Sequence, residues 1–251
     1  MYKRTWFLVS AVALSFRVVT SLLEELPPGF PSCRRCDPQI EKCLIAATET
    51  VRPYMISGVP GFIPSVINFS IPAVTLQDGN DVLNYRARLS NVTLYGLEDY
   101  KFKRFNFDHK NLTFFIDVDI PHIYIEGNYL VEGKIFFAPI RGSGSFHVKL
   151  SNSSCLMLQN VIVIKKNGMD FLKPIKTVPK FKVGNIIDYG FDGLFGNSDE
   201  INKIAKHVID DNLSIIVEEL LPTIEKVLLE FFENFIFKSV TRIPYDKLYP
   251  K

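Results

Sequence analysis

The chain has 251 residues, 47% of them hydrophobic, and carries 29 basic against 27 acidic side chains. So balanced a charge gives no electrostatic reason to expect nucleic acid or an anionic membrane as partner. No Gly/Ser linker, charge block or low-complexity stretch divides the chain, so one large domain is expected rather than two small ones.

The first twenty residues read as a secretory signal peptide. Lys3 and Arg4 start it, Phe7 to Phe16 form the apolar run, and Thr20 and Ser21 bring small hydroxyl side chains, with cleavage expected there. The run is shorter than the roughly 20 residues of a membrane span and Arg17 interrupts it. Without residues 1–20 the chain holds 26 basic and 27 acidic residues. Five sequons agree with secretion and glycosylation: Asn68, Asn91, Asn111, Asn152 and Asn212. The four cysteines are Cys33, Cys36, Cys43 and Cys155. In an oxidising compartment they are expected to pair as disulfides. The spacing Cys33-Arg-Arg-Cys36 also occurs in zinc and redox sites, but no second ligand pair and no βαβ setting accompanies it.

After Asp37-Pro38, apolar residues recur at Ile40, Cys43, Leu44, Ala47, Val51, Tyr54 and Met55, the spacing of one helix face. Asp37 is placed as the N-cap and Gly58 as the stop. A proline-punctuated connector follows, and then strands. Leu83, Tyr85, Ala87 and Leu89 alternate with polar residues. So do Leu112, Phe114, Ile116, Val118 and Ile120, and then Phe146, Val148 and Leu150. This period of two predicts an antiparallel sheet with one solvated face. Leu156 to Lys165 and Thr177 to Val183 add two strands. Glu126-Gly127-Asn128 and Gly142-Ser143-Gly144 read as turns or bends.

From Asn197 to Phe237 the period changes to that of one long apolar helix, some 60 Å at about 1.5 Å per residue. Its stripe runs through Ile201, Ile204, Ala205, Val208 and Ile209, then Ile216, Leu220, Ile224, Val227, Leu228, Phe231, Phe235 and Ile236. Pro222 is expected to kink or break it. The order helix, strands, long helix predicts an α+β fold, with a curled sheet wrapping the helix.

Chemical motifs are absent. His109, His122, His147 and His207 have no companions at metal-ligand spacing. There is no nucleophile elbow, P-loop or dinucleotide fingerprint. Asp117 and Asp119 share a strand face and read as a solvated surface. Lys101, Lys103 and Arg104 with Phe102 and Phe105 read as an ordinary strand surface. No enzyme activity, metal or cofactor is expected.

Several motifs in sequence resemble the takeout and juvenile hormone-binding protein family of arthropods. They are Leu26-Pro27, Cys33, Asp37-Pro38 and Cys43, then Val51-Arg52-Pro53, Gly58-Val59-Pro60 and Ile71-Pro72. Asn91-Val92, Leu94-Tyr95-Gly96-Leu97, Ile120-Pro121, Tyr129, Gly133-Lys134 and Pro139-Ile140 continue the order. The ending Ile243-Pro244-Tyr245-Asp246-Lys247-Leu248-Tyr249-Pro250 is closely similar to the family's. The resemblance covers nearly all of residues 21–251, which are expected to form one ligand-binding domain. It implies a highly curved antiparallel sheet around a long C-terminal helix, an internal apolar tunnel, and secreted carriage of small hydrophobic ligands such as terpenoids or fatty acids. It also implies a Cys33–Cys43 disulfide. Cys36 is extra to the pattern, with pairing to Cys155, a free thiol or competition for Cys33 all open to it. The connector after Phe62 lacks the usual Pro-Leu.

Combining facing with that resemblance, the expected tunnel lining is Val51 and Met55 on the first helix. Tyr85, Leu89, Phe114, Ile116, Val118, Tyr129 and Phe146 follow on strands, with Ile216, Leu220, Ile224, Leu228 and Phe231 on the long helix. Tyr85 and Tyr129 are the candidates for polar contacts at one end. The alternative is a secreted interaction protein for a receptor or microbial surface, its tunnel filled by side chains or structural lipid. In neither case is nucleic acid or stable membrane insertion expected.

Overall fold

The computed structural model describes residues 25–26, 28–60, 62–71, 73–79, 83–136, 138–196, 199–237 and 241–251. The expected signal peptide and the helix start at Asn197 and Ser198 lie outside these residues.

Helix α1 spans Ile40–Ser57 and buries Ile40, Leu44 and Thr48. Asp37 stands two residues before the cap it was expected to supply. Its carboxylate accepts the Gln39 N–H at 2.8 Å, its carbonyl accepts the Ile40 N–H at 3.0 Å, and Gln39 holds the cap position. Strands β1 (Phe69–Ile71), β2 (Val74–Gly79), β3 (Leu83–Tyr95), β4 (Lys101–Asp108), β5 (Thr113–Ile135), β6 (Ala138–Lys166), β7 (Met169–Lys182) and β8 (Asn185–Phe191) follow. They form one antiparallel, curved sheet whose main path is β1-β3-β5-β6-β7. Most of its area comes from β5 and β6, of 23 and 29 residues, against the usual 3–10.

The two glycine clusters expected to make turns lie inside these long strands. Gly127 pairs with Phe146, Gly142 with Val131, and Gly144 with Tyr129. Their role is close approach. A side chain on Gly144 would sit 2.2 Å from the Asp192 carbonyl, and one on Gly142 would sit 2.3 Å from the Gly193 carbonyl. The turn after β8 therefore crosses the sheet where no side chain stands in its way.

Helix α2 (Asp199–Asp211) and helix α3 (Leu213–Phe231) follow, and a π-helical turn, Phe232–Phe237, continues α3. The long helix breaks at Asn212 rather than at Pro222, which sits inside α3. The Asn212 amide donates to the Val208 carbonyl at 2.8 Å, the local side-chain bond with which Asn competes against the helix ladder. Helix α3 packs against β7 and β2.

Two buried clusters anchor the fold. One joins Tyr85, Ala87, Val92, Tyr129, Val131, Ile140 and Phe146 of the sheet to Ile209 of α2 and Ile216 of α3. The other joins Ile40 and Leu44 of α1 to Phe107, Phe114, Val161 and Leu172, with Tyr245 and Tyr249 from the chain end. A single closing turn, α4 (Tyr245–Leu248), carries those tyrosines. Backbone bonds from Cys33 N–H to the Leu248 carbonyl (3.1 Å) and from Arg35 N–H to the Pro250 carbonyl (2.9 Å) stitch the two chain ends together. The Cys33–Cys43 disulfide is formed beside them. Cys36 and Cys155 are not bonded to each other: Cys36 is exposed near His109, while Cys155 is buried on β6.

Candidate functional site

Register assigns each sheet residue to a face. Paired residues across an antiparallel ladder share a face, and neighbours along a strand alternate. Inner rows therefore run Tyr85–Gly133–Ile140, Ala87–Val131–Gly142 and Leu89–Tyr129–Gly144 across β3, β5 and β6. In the first and third rows a glycine sits beside an aromatic ring. That alternation of bulk and gap suits a tightly curved inner face.

Six expected lining residues come together at this end. Tyr85, Tyr129, Phe146 and Ile216 are members of the first cluster, and Leu89 and Leu220 pack against it. Sequence reasoning missed Ala87, Val131 and Ile140 of the same cluster. Ala87 and Val131 were available from strand alternation and pairing. Ile140 stood too close to the glycines to be read as strand. Ile209 of α2, already on the apolar stripe of the helix, completes the cluster.

The two tyrosine hydroxyls are already partnered. Tyr129 donates to the Asp192 carbonyl at 2.7 Å, and burial pushes its phenol up to about 12. Tyr85 donates to Thr223 Oγ1 at 3.4 Å, linking β3 to α3.

Phe114 lies elsewhere, stacked on Phe107 at 4.2 Å within the second cluster. Phe231 meets Phe69 edge-on at 5.0 Å. Val51 and Met55 are half-buried on α1 and belong to neither cluster.

Between the clusters lies a third stretch of inner face, where the alternation reverses: buried Phe146 and Leu150 give way along β6 to buried Ser153, Cys155 and Met157, with Asn152 at φ 56° between them. Ile116 pairs with Met157 and Val118 with Cys155. Ile116 and Val118 are half-buried although they point inward, and neither belongs to a packed cluster. Ile224 and Leu228 of α3 are also half-buried and outside both clusters. Between those two helix residues, Glu225 fastens α3 to the sheet edge by accepting the Phe181 N–H at 3.3 Å and Lys180 Nζ at 2.8 Å. Buried Ser153, Cys155, Met157 and Gln159 continue along β6. Burial pushes the Cys155 thiol up to about 11, so it stays a neutral, inert group. At the far end Gln159 pairs in register with Thr177. Gln159 Nε2 and Thr177 Oγ1 are buried with no hydrogen-bond partner among the described residues.

A separate groove of about 260 Å³ is lined by Leu130, Arg141, Gly142, Ser143, Gly193 and Gly196. It falls below the roughly 300–1,000 Å³ of small-molecule pockets, and its wall is mostly polar or backbone. No group of three or more metal-ligating side chains occurs among the described residues.

The family model "Haemolymph juvenile hormone binding protein" matches residues 7–250. The chain belongs to this family. It is similar to the circadian clock-controlled protein daywake of Drosophila melanogaster, at 23% identity over 89% of each chain. A putative beta-carotene-binding protein of Schistocerca gregaria is 22% identical over 88% of each chain. The crystal structure of Epiphyas postvittana Takeout 1 superposes with a TM-score of 0.73 at 20% identity, covering 88% of this chain and 99% of that one. That superposition supports the same fold: a curved antiparallel sheet with helices at both ends of the chain. Within the family, the motifs quoted from the sequence acquire structural work. Arg52 of Val51-Arg52-Pro53 donates to the Glu98 carbonyl at 3.0 Å and the Tyr100 carbonyl at 2.8 Å. It also lies 4.2 Å over the Tyr100 ring and so locks α1 to the start of β4.

Proposed function

We propose that this member of the haemolymph juvenile hormone binding protein family is a secreted carrier of small hydrophobic ligands. Residues 21–251 act as one ligand-binding domain after removal of a signal peptide. The ligand is a terpenoid or fatty acid held along α3. The observation that carries this reading is the inner-face stretch between the packed clusters. There Ile116 and Val118 share the face of buried Met157 and Cys155 yet keep accessible surface, and Ile224 and Leu228 of α3 are half-buried too. Side chains that already fill the clusters at either end close the site; those between them border the ligand.

The affinity follows from apolar burial. A sesquiterpenoid burying roughly 400 Å² gains on the order of 10 kcal/mol at about 25 cal/mol/Å². Immobilisation costs several kcal/mol of that, which leaves about 4–8 kcal/mol, the millimolar to micromolar range. Orientation is assigned to Gln159 and Thr177, whose unspent hydrogen-bonding capacity suits a ligand carbonyl, carboxylate or ether oxygen. Tyr85 and Tyr129, both already engaged, hold the fold instead.

The test is Val118→Trp with a fluorescent fatty-acid analogue and terpenoid competitors. The indole fills the inner stretch, so affinity falls at least about tenfold while the melting temperature stays near that of the wild type. Wild-type affinity in a folded Val118→Trp protein refutes this placement. A wild-type protein that binds no apolar probe favours the alternative, a receptor- or surface-binding protein with a filled interior.

A further inference from the structure

Outward-facing residues of β6 and β7 form a surface that the carrier reading does not use. From Ser154 to Lys182 the hairpin holds Lys165, Lys166, Lys173, Lys176, Lys180 and Lys182 against a single acid, Asp170. The rest of the chain after residue 20 holds 20 basic and 26 acidic residues. A near-zero total therefore conceals a strongly cationic hairpin on an otherwise acidic protein.

Register puts four of the lysines on one face. Lys182 pairs with Ser154, Lys180 with Leu156, Lys176 with Asn160, and Lys173 with Ile162. The residues between them, Phe181, Pro179 and Thr177, pair with buried Cys155, Met157 and Gln159 and so point inward. The lysine row runs roughly 30 Å along β7 at about 3.3 Å per residue, and β7 ends the sheet path. Lys180 is held by Glu225. Lys173, Lys176 and Lys182 make no ion pair among the described residues. On the adjoining outer face of β5, Asp119 is engaged by Lys103 at 2.8 Å.

Lysine and proline on an edge strand blunt unwanted strand pairing, and Pro174 and Pro179 fit that role. Edge protection does not call for large apolar side chains between the lysines. Yet Leu156 is 54% exposed, Ile162 39% and Ile175 59%. Cations set among exposed aliphatic side chains match the chemistry of an anionic lipid surface, where charge meets headgroups and hydrocarbon enters the interface. A soluble polyanion would have no use for the aliphatic groups.

We propose that this outer face docks peripherally on anionic phospholipid bilayers, with Lys173, Lys176 and Lys182 on headgroups and Leu156, Ile162 and Ile175 in the interface. No helix among the described residues is long and apolar enough to cross a membrane, so the contact is a surface one. Docking would bring the strand pair that carries Gln159 and Thr177 on its inner side against the lipid.

The experiment is flotation of the full secreted protein with phosphatidylcholine vesicles, with and without phosphatidylserine, at low and high salt. Binding only to the phosphatidylserine vesicles, weakened by salt, is the expected result. The variant Lys173→Glu/Lys176→Glu/Lys182→Glu should lose at least about tenfold in vesicle affinity. Leu156→Ser/Ile175→Ser should also weaken binding, and Lys203→Glu on α2 should not. Melting temperatures for all variants exclude unfolding as the cause. Equal binding to both vesicle types, no binding to either, or wild-type binding by the triple variant overturns the proposal. Retention by a heparin-like polyanion without any vesicle binding overturns it too and points to a soluble acidic partner.

Discussion

Arg52 holds two layers of the fold together through one guanidinium. It binds both Glu49 carboxylate oxygens, at 2.8 and 2.6 Å, and two backbone carbonyls beyond β3, and it covers the Tyr100 ring. Arg52→Ala leaves those carbonyls short of a donor and should cost about 2 kcal/mol, read from the urea midpoint. Arg52→Lys should recover only part, since an ammonium has no planar fork. The hydrogen bond from Arg52 holds the Glu49 carboxyl below its ordinary value. The stability this linkage gives is present above the unfolded carboxylate pKa and is lost as pH falls through the folded one. Glu49→Gln should flatten that acid limb of the stability profile. The sequons also separate at this scale. Asn68, Asn91 and Asn152 are exposed with positive φ, so their amides project from the surface. Asn212 is half-buried and spends its amide on the Val208 carbonyl. Asn152→Gln should remove a glycan from the secreted protein and Asn212→Gln should not, as intact-mass measurement will show.

The C-terminal turn α4 is the element whose role is clearest. Tyr249 lies 4.9 Å from the Phe107 ring and 5.8 Å from Phe114, and it is buried. Tyr249→Ala should cost about 3–5 kcal/mol, measured by chemical denaturation, by hollowing the second cluster. That this tail mattered was legible in the similarity of residues 243–250 to the family's ending; that it closes onto Cys33 and Arg35 was not, because such a contact joins opposite ends of the chain. Helix α1 was legible from its apolar period, and the first parts of β3 and β5 from strict alternation. The break in the long helix was misplaced. Pro222 lacks an N–H and draws attention, but α3 carries it on an exposed face, whereas Asn212 competes with the helix through its own side chain. Gly127, Gly142 and Gly144 were read as turns because glycine serves both turns and close approach. Only register tells the two apart.

At the scale of the whole molecule, family and fold agree on a sheet wrapped around helices. Facing together with the family resemblance picked Tyr85, Leu89, Tyr129 and Phe146 for the inner surface, and the structure gathers them at one cluster. Facing could not tell an inward residue that packs, such as Phe146, from one that keeps accessible surface, such as Val118. That difference depends on where α3, fastened through Glu225 to Phe181 and Lys180, lies over the sheet. Nor could total charge reveal the lysine row, because the acids that balance it lie elsewhere. The central claim is exchangeable carriage of an apolar ligand, and native mass spectrometry of the delipidated, secreted protein tests it most directly. After incubation with terpenoids and fatty acids, the account predicts one-to-one adducts that exchange under competition. A folded protein that shows no adduct with any of them would contradict it.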